Sequence, residues 1–253
     1  MEEEKALSLT EHLDELRGRL IRAAIYLLLG MTICWLFYAQ IFRLLEWPVL
    51  RAVERSGGAL QILDIMEPFW TRYQVSLVAG LVLALPFILL EVWWFVRPGL
   101  TPAERRVVRV LPLVVFFLFL LGVAFGYWMG KLFVDWLLSD YFLLPGMKAQ
   151  LRVQGTILFM ARVLLAFGLG FQLPVLIVLL NRFGVLPLAV LLRRWREATM
   201  IIFIIAAIIT PTWDPLSMTL AALPLALLYA GTVGVIRFME RRRRRSAFNV
   251  QRG

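Results

Sequence analysis

Long apolar runs decide what this chain can become. Stretches of about 18 or more apolar residues recur along it, the length a helix needs to cross a bilayer. In lipid every backbone N–H and C=O must be satisfied inside the protein, so only helices and closed barrels span. Nothing in the chain alternates with period two over segments of about ten residues, as barrel strands do. An all-α integral membrane protein follows. With 61% hydrophobic residues and a mean hydropathy of +0.79, a soluble domain is excluded. Neither Gly/Ser-rich linkers nor fixed-period repeats divide residues 1–253, which predicts a single membrane domain.

In chain order, residues 8–20 read as an amphipathic helix lying before the membrane. Ser8 and Glu11 make a capping box, and Leu9, Leu13, Leu16 and Leu20 fall on one stripe. Spans are predicted at about 23–42, 75–96, 110–129, 157–180, 198–209 and 216–236, with a basic tail over 237–253. Pro86 kinks the second span, and Gln172 and Pro174 interrupt the fourth. Gly122, Gly126 and Gly130 recur every fourth residue in the third, leaving a groove for a neighbouring helix. Mixed segments at 43–68 and 131–155 read as interfacial, the first as short helices. The fifth span is only twelve residues, Ala198–Ile209. That is roughly 18 Å against a hydrocarbon core of roughly 30 Å, so local membrane thinning is expected there.

The net charge of +10 is a topology signal. Of the 27 Lys and Arg, nineteen fall on the N-terminal arm, loop 97–109, loop 181–197 and the tail, and six on the alternate loops. The positive-inside rule then puts both termini in the cytoplasm, which six spans permit. The acidic start Met1–Lys5 and the lack of a small-residue cleavage site after the first apolar run argue against a removed signal peptide. Arg241–Arg245 reads as an anchor for anionic lipid headgroups, and nucleic acid is not expected.

Chemistry-bearing patterns are missing. Cys34 is the lone cysteine and His12 the lone histidine, so no metal cluster or His-based triad can be assembled. No nucleophile elbow or phosphate-cradling loop is present. Neither an enzyme, a metal nor a cofactor is expected. A secondary transporter, the competing class, places ionisable groups on broken helices near the midplane, often in inverted repeats. This chain has Gln172 there and no internal repeat.

Interest shifts to the charged hinge after the second span. Pro98-Gly99 stops one helix, and Thr101-Pro102-Ala103-Glu104 starts the next as a capping box. Taken alone, Glu104 is that cap, and Glu15 is a helix-surface partner of Arg19 four residues on.

Four stretches carry a family resemblance: His12-Leu13-x-Glu15-Leu16-Arg17-x-Arg19-Leu20, Pro98-x-Leu100-x-x-x-Glu104-Arg105-Arg106, Gly168-x-x-Phe171-Gln172-x-Pro174-Val175 and Thr210-Pro211-x-x-Asp214. With the topology, they resemble TatC, the multispanning core subunit of the twin-arginine protein translocase. The resemblance implies a cupped six-helix bundle with short fifth and sixth helices and an outer cap built by segments 43–68 and 131–155. It implies a receptor in the cytoplasmic membrane for signal peptides bearing two adjacent arginines, serving export of folded proteins. It also implies TatA- and TatB-type single-span partners, self-association and the proton-motive force. Glu15 and Glu104 would form the arginine site, with Leu9, Leu16, Arg17, Phe95, Leu100 and Arg105 around them. Thr210 and Met218 would meet partners, and Pro48 and Asp214 would shape the outer loops.

This chain departs from the family's usual residues at three positions inside the membrane, one of them near Leu228-Tyr229, where a glutamate is frequent and Ala230 follows here. Gln172 stands where a glutamate is frequent, and an amide carries no proton at accessible pH; it is expected to hydrogen-bond a partner span. Glu91 stands where glutamine is frequent. Two readings of it are open: its carboxylate finds headgroup water, or it lines the cytoplasmic end of the concave face.

Overall fold

The computed structural model describes residues 9–96, 111–139, 148–182, 184–209 and 215–250. Side chains are described from residue 14 to residue 241 within these segments, except at 93, 96, 209 and 217. Helix α1 runs unbroken over Leu9–Leu36. The separate arm helix ending at Leu20 and the span reaching Phe42 are corrected to this one element. Ile21-Arg22 contains no breaker, so the helix propagates through. The chain turns instead at Phe37 (φ −94°, ψ 19°), and α2 follows as Tyr38–Arg55.

Segment 43–68 is thus not a set of short helices. It is α2, which buries Leu45, Val49, Ala52 and Val53, followed by a strand. Pro48 is buried inside α2 and offers no N–H to the Leu44 carbonyl one turn back. Tyr127 donates its hydroxyl to that carbonyl at 3.1 Å. Strand β1 (Ala59–Gln61) pairs in parallel with β2 (Gln150–Arg152), Leu60 opposite Leu151. The two mixed segments therefore meet, as a cap requires.

Helix α3 (Glu67–Val96) begins eight residues earlier than the hydropathy suggests, at a buried acid. The Glu67 carboxylate accepts from Leu63 N at 2.9 Å and Gln154 N at 3.0 Å, and pairs with Arg152 Nε at 3.2 Å. Gln154 lies in the first turn of α5 (Val153–Gly170), where backbone N–H groups lack helical partners. Glu67 therefore caps a helix to which it does not belong.

Close helix approaches follow the small residues. Helix α4 (Leu111–Leu137) packs on α5 along the Gly122–Gly130 row, where a Cβ on Gly122 would fall 2.6 Å from the Phe167 carbonyl oxygen. Helix α5 ends before Phe171-Gln172, and α6 (Leu173–Arg182) resumes ahead of Pro174, the interruption expected there. The basic loop holds a short helix, α7 (Leu188–Arg193). Helix α8 (Trp195–Ile209) has 15 residues, and α9 (Pro215–Val250) has 36.

Among the described residues five stretches reach membrane length: Asp14–Leu36, Glu67–Val92, Leu111–Leu137, Val153–Arg182 and Met218–Arg241. Helix α8, about 22 Å long, is the short sixth. The last helix is longer than the resemblance implies, because the basic tail continues as helix. Leu45, Val49, Val53, Val75 and Ile157 form one core under the cap. Phe133, Phe167, Ile202, Ala206 and Leu225 form a second that anchors α8 and α9.

Candidate functional site

Helix α1 carries Glu15, Arg19, Arg22 and Tyr26 at i, i+4, i+7 and i+11. Helical geometry sets these on one stripe. Helix α3 meets the stripe with Glu91, which is 3% exposed. Glu91 Oε2 accepts from Arg19 Nη1 at 3.3 Å, and Oε1 accepts from Arg22 Nε at 3.0 Å and the Tyr26 hydroxyl at 3.3 Å. Arg19 also reaches back to Glu15 Oε1, through Nε at 3.1 Å and through Nη2. Tyr26 packs its ring on Phe87, centroids 5.8 Å apart.

In this geometry α1 covers the Glu91 carboxylate, and its donors come from the same chain. A carboxylate out of water persists where guanidinium and hydroxyl donors replace its hydration, and here donors reach both oxygens. A helix ended at Leu20 cuts the stripe in half, hiding Arg22 and Tyr26 from the sequence reading. The spacing of the four residues is the signal that finds them.

The other expected site residues are scattered in what the structure says of them. Leu16 and Arg17 are exposed beside Glu15, and Phe95 is half-buried in the last turn of α3, at the same end of the bundle. Leu9 lies in the first turn of α1, its side chain outside the described residues. Leu100, Glu104, Arg105, Thr210 and Asp214, with the hinge capping box, lie outside the described residues. Pro48 is buried in α2, and Met218 is half-buried near the start of α9.

Gln172 donates its amide to the Val115 carbonyl on α4 at 3.1 Å. One donor of the amide is thus used within the chain, on a neighbouring helix. Gln172 and Glu91 share no hydrogen bond among the described residues. An apolar cavity of about 640 Å³ opens between α1, α3, α4 and α5 beneath α2, lined by Ile33, Cys34, Val82, Phe119 and Leu164 among others. Neither polar residue is among its described lining residues.

Membrane-length helices, a strand-tied cap at one end and a charged cluster at the other define a multi-pass helical membrane protein. The family described as TatC: Sec-independent protein translocase protein (TatC) matches residues 11–224. The Sec-independent protein translocase protein TatC of Koribacter versatilis is 36% identical over 259 residues, covering 98% of this chain and 93% of that protein. The protein of the same name from Aquifex aeolicus is 34% identical over 224 residues, covering 88% and 92%. A crystal structure of the twin arginine translocase receptor TatC in DDM superposes with a TM-score of 0.79 at 32% identity, covering 89% of this chain and 99% of that one. The chain belongs to the TatC family, whose members are protein translocase components, not enzymes.

Proposed function

We propose that this chain is the core receptor subunit of a twin-arginine translocase. It binds signal peptides carrying two adjacent arginines and acts in export of folded proteins across the cytoplasmic membrane, driven by the proton-motive force. TatA- and TatB-type subunits are its partners, with Thr210 and Met218 among the contacts. The chain self-associates, and Arg241–Arg245 meets anionic lipid. The lysine and arginine distribution supports a cytoplasmic location for both termini.

The observation that carries this reading is Glu15. It lies within the region matched to the family, beside Leu16 and Arg17, with its side chain 25% exposed. Glu104 stands eight residues beyond the end of α3, which terminates at that same end of the bundle. Two carboxylates at one membrane surface can each take a forked pair of hydrogen bonds from a guanidinium, a geometry lysine lacks. Hydrogen bonds to charged groups contribute about 1.5–3 kcal/mol each, against at most about 1 for an exposed ion pair. Leu9 and Leu16 would hold the apolar residues that follow the arginines, with Arg17, Phe95, Leu100 and Arg105 around them.

The test is peptide binding to the purified full chain. A twin-arginine peptide should bind and its twin-lysine variant should not. Glu15→Ala and Glu104→Ala should each weaken binding sharply while the bundle stays folded. Unchanged affinity in both variants would reduce these residues to a salt-bridge partner and a helix cap.

A further inference from the structure

Glu15, on the receptor reading above, awaits an arginine, yet an arginine of the same chain already occupies it. Arg19 grips one Glu15 oxygen with two nitrogens, so it competes for the carboxylate that a substrate guanidinium would use. It also bonds Glu91, through the carboxylate at 3.3 Å and the backbone carbonyl at 3.4 Å. Arg19 is therefore shared between two acids on two helices.

We propose that Arg19 is an internal stand-in for a substrate arginine, and that Glu91 is the positioning residue that draws Arg19 off Glu15 when a signal peptide docks. This rests on Glu15 being a receptor carboxylate. Exposure falls from Glu15 at 25% to Glu91 at 4%, with Arg19 at 15% between them. The outer acid thus faces an incoming ligand, and the inner one faces only its own chain.

The use of Glu91's two oxygens points the same way. Oε1 already accepts from Arg22 and Tyr26. Among the described residues Oε2 has Arg19 alone, at 3.3 Å, longer than the about 2.7–2.9 Å of a good charge-assisted bond. That oxygen has room for a tighter hold on Arg19. Among these four residues the charges balance without a peptide, and a docked arginine adds one positive charge, which Glu91 offsets by keeping its own counterions. With no peptide, Glu15 and Glu91 face Arg19 and Arg22. With a peptide arginine on Glu15, Glu91 retains Arg19 and Arg22 as its own counterions. Were Glu91 neutral, three guanidiniums would compete for one carboxylate, and the internal one is tethered a single turn away.

The arrangement also raises the threshold for recognition. A lysine offers a point charge and cannot match the two-nitrogen grip that it must displace. Self-occupancy lowers apparent affinity in proportion to the fraction of Glu15 left open. Only a ligand that reproduces the fork gains entry.

The experiment is a double-mutant cycle on the full chain in detergent, read as the Kd of a fluorescent synthetic peptide with two adjacent arginines before an apolar run. Glu91→Gln should raise Kd by about tenfold, within the range for coupled neighbours. Arg19→Gln should lower it. In the Arg19→Gln background the Glu91→Gln effect should shrink to about twofold or less, the limit for uncoupled sites. A purely structural role for Glu91 and Arg19 predicts weaker binding in both single variants, with losses in thermal stability to match. That result, or an equal Glu91→Gln effect in both backgrounds, would overturn the proposal. Full binding by Glu15→Ala would instead sink the receptor reading beneath it.

Discussion

Gly80 gives the sharpest test of how α1 and α3 are held together. A Cβ at that position would lie 2.5 Å from Met31 N and 2.6 Å from Met31 Cα, where ordinary contact begins at 3.4 Å. Both atoms are backbone, so no rotamer change relieves the clash. Gly80→Ala must push the helices apart by about 1 Å there, forfeiting a quarter to a half of each nearby dispersion contact. Overpacking typically costs about 1–3 kcal/mol, and a rigid backbone neighbour puts this case in the upper half. Alanine returns about 0.5–1 kcal/mol through helix propensity, leaving a net loss of about 1–2.5 kcal/mol. For a chain of this size that is a drop in Tm of about 2–10 °C. The assay is thermal unfolding of the purified chain in detergent, with Gly231→Ala as the control. Nothing lies within 4 Å of a Cβ at Gly231, so that variant should hold or gain stability. Equal melting of the two variants would refute the close-approach reasoning.

Other expectations can be checked alongside. With Cys34 removed, single cysteines at Gly57, Lys148 and Trp213 should label from outside the cell, and labelling only after membrane disruption would invert the topology. If a short α8 thins the bilayer, lengthening Ala198–Ile209 by one turn of leucines should impair transport and leave peptide binding intact; normal transport would remove that idea. Gln172→Leu should cost the chain about 0.6–1.7 kcal/mol through loss of the bond to Val115, seen as a lower Tm with crosslinking to single-span subunits preserved. Unaltered Tm with lost crosslinking would return Gln172 to the partner-facing role.

Much of the fold is legible in the chain because lipid makes hydropathy decisive: each span is an apolar run, and the Gly122–Gly130 row foretells its neighbour's approach. The ends of elements are less legible. Phe37 closes α1, although nothing in Trp35-Leu36-Phe37-Tyr38 is a helix breaker. The β1–β2 pairing joins three-residue segments some ninety positions apart, too short to show period two and too distant for a turn signal. Glu67 reads as one acid among several in a mixed segment, and its role emerges only when α5 arrives to be capped. The site follows the same division. Glu15 is visible as a motif residue, whereas the burial of Glu91 depends on α1 continuing past Leu20.

The parallel pairing of Ala59–Gln61 with Gln150–Arg152, pinned beside the Glu67 clamp, makes the molecule a pair of tongs. One limb is α1 with α3, the other α4 with α5, and they are riveted where the strands meet. Limbs joined there cannot slide past each other along the membrane normal without breaking the ladder register. Helix α3 also packs directly on α5, so the limbs are held by side chains as well as by the strands. A change in spacing between the limbs therefore leaves the charged cluster whole, because Glu15, Arg19 and Glu91 all ride on the limb of α1 and α3.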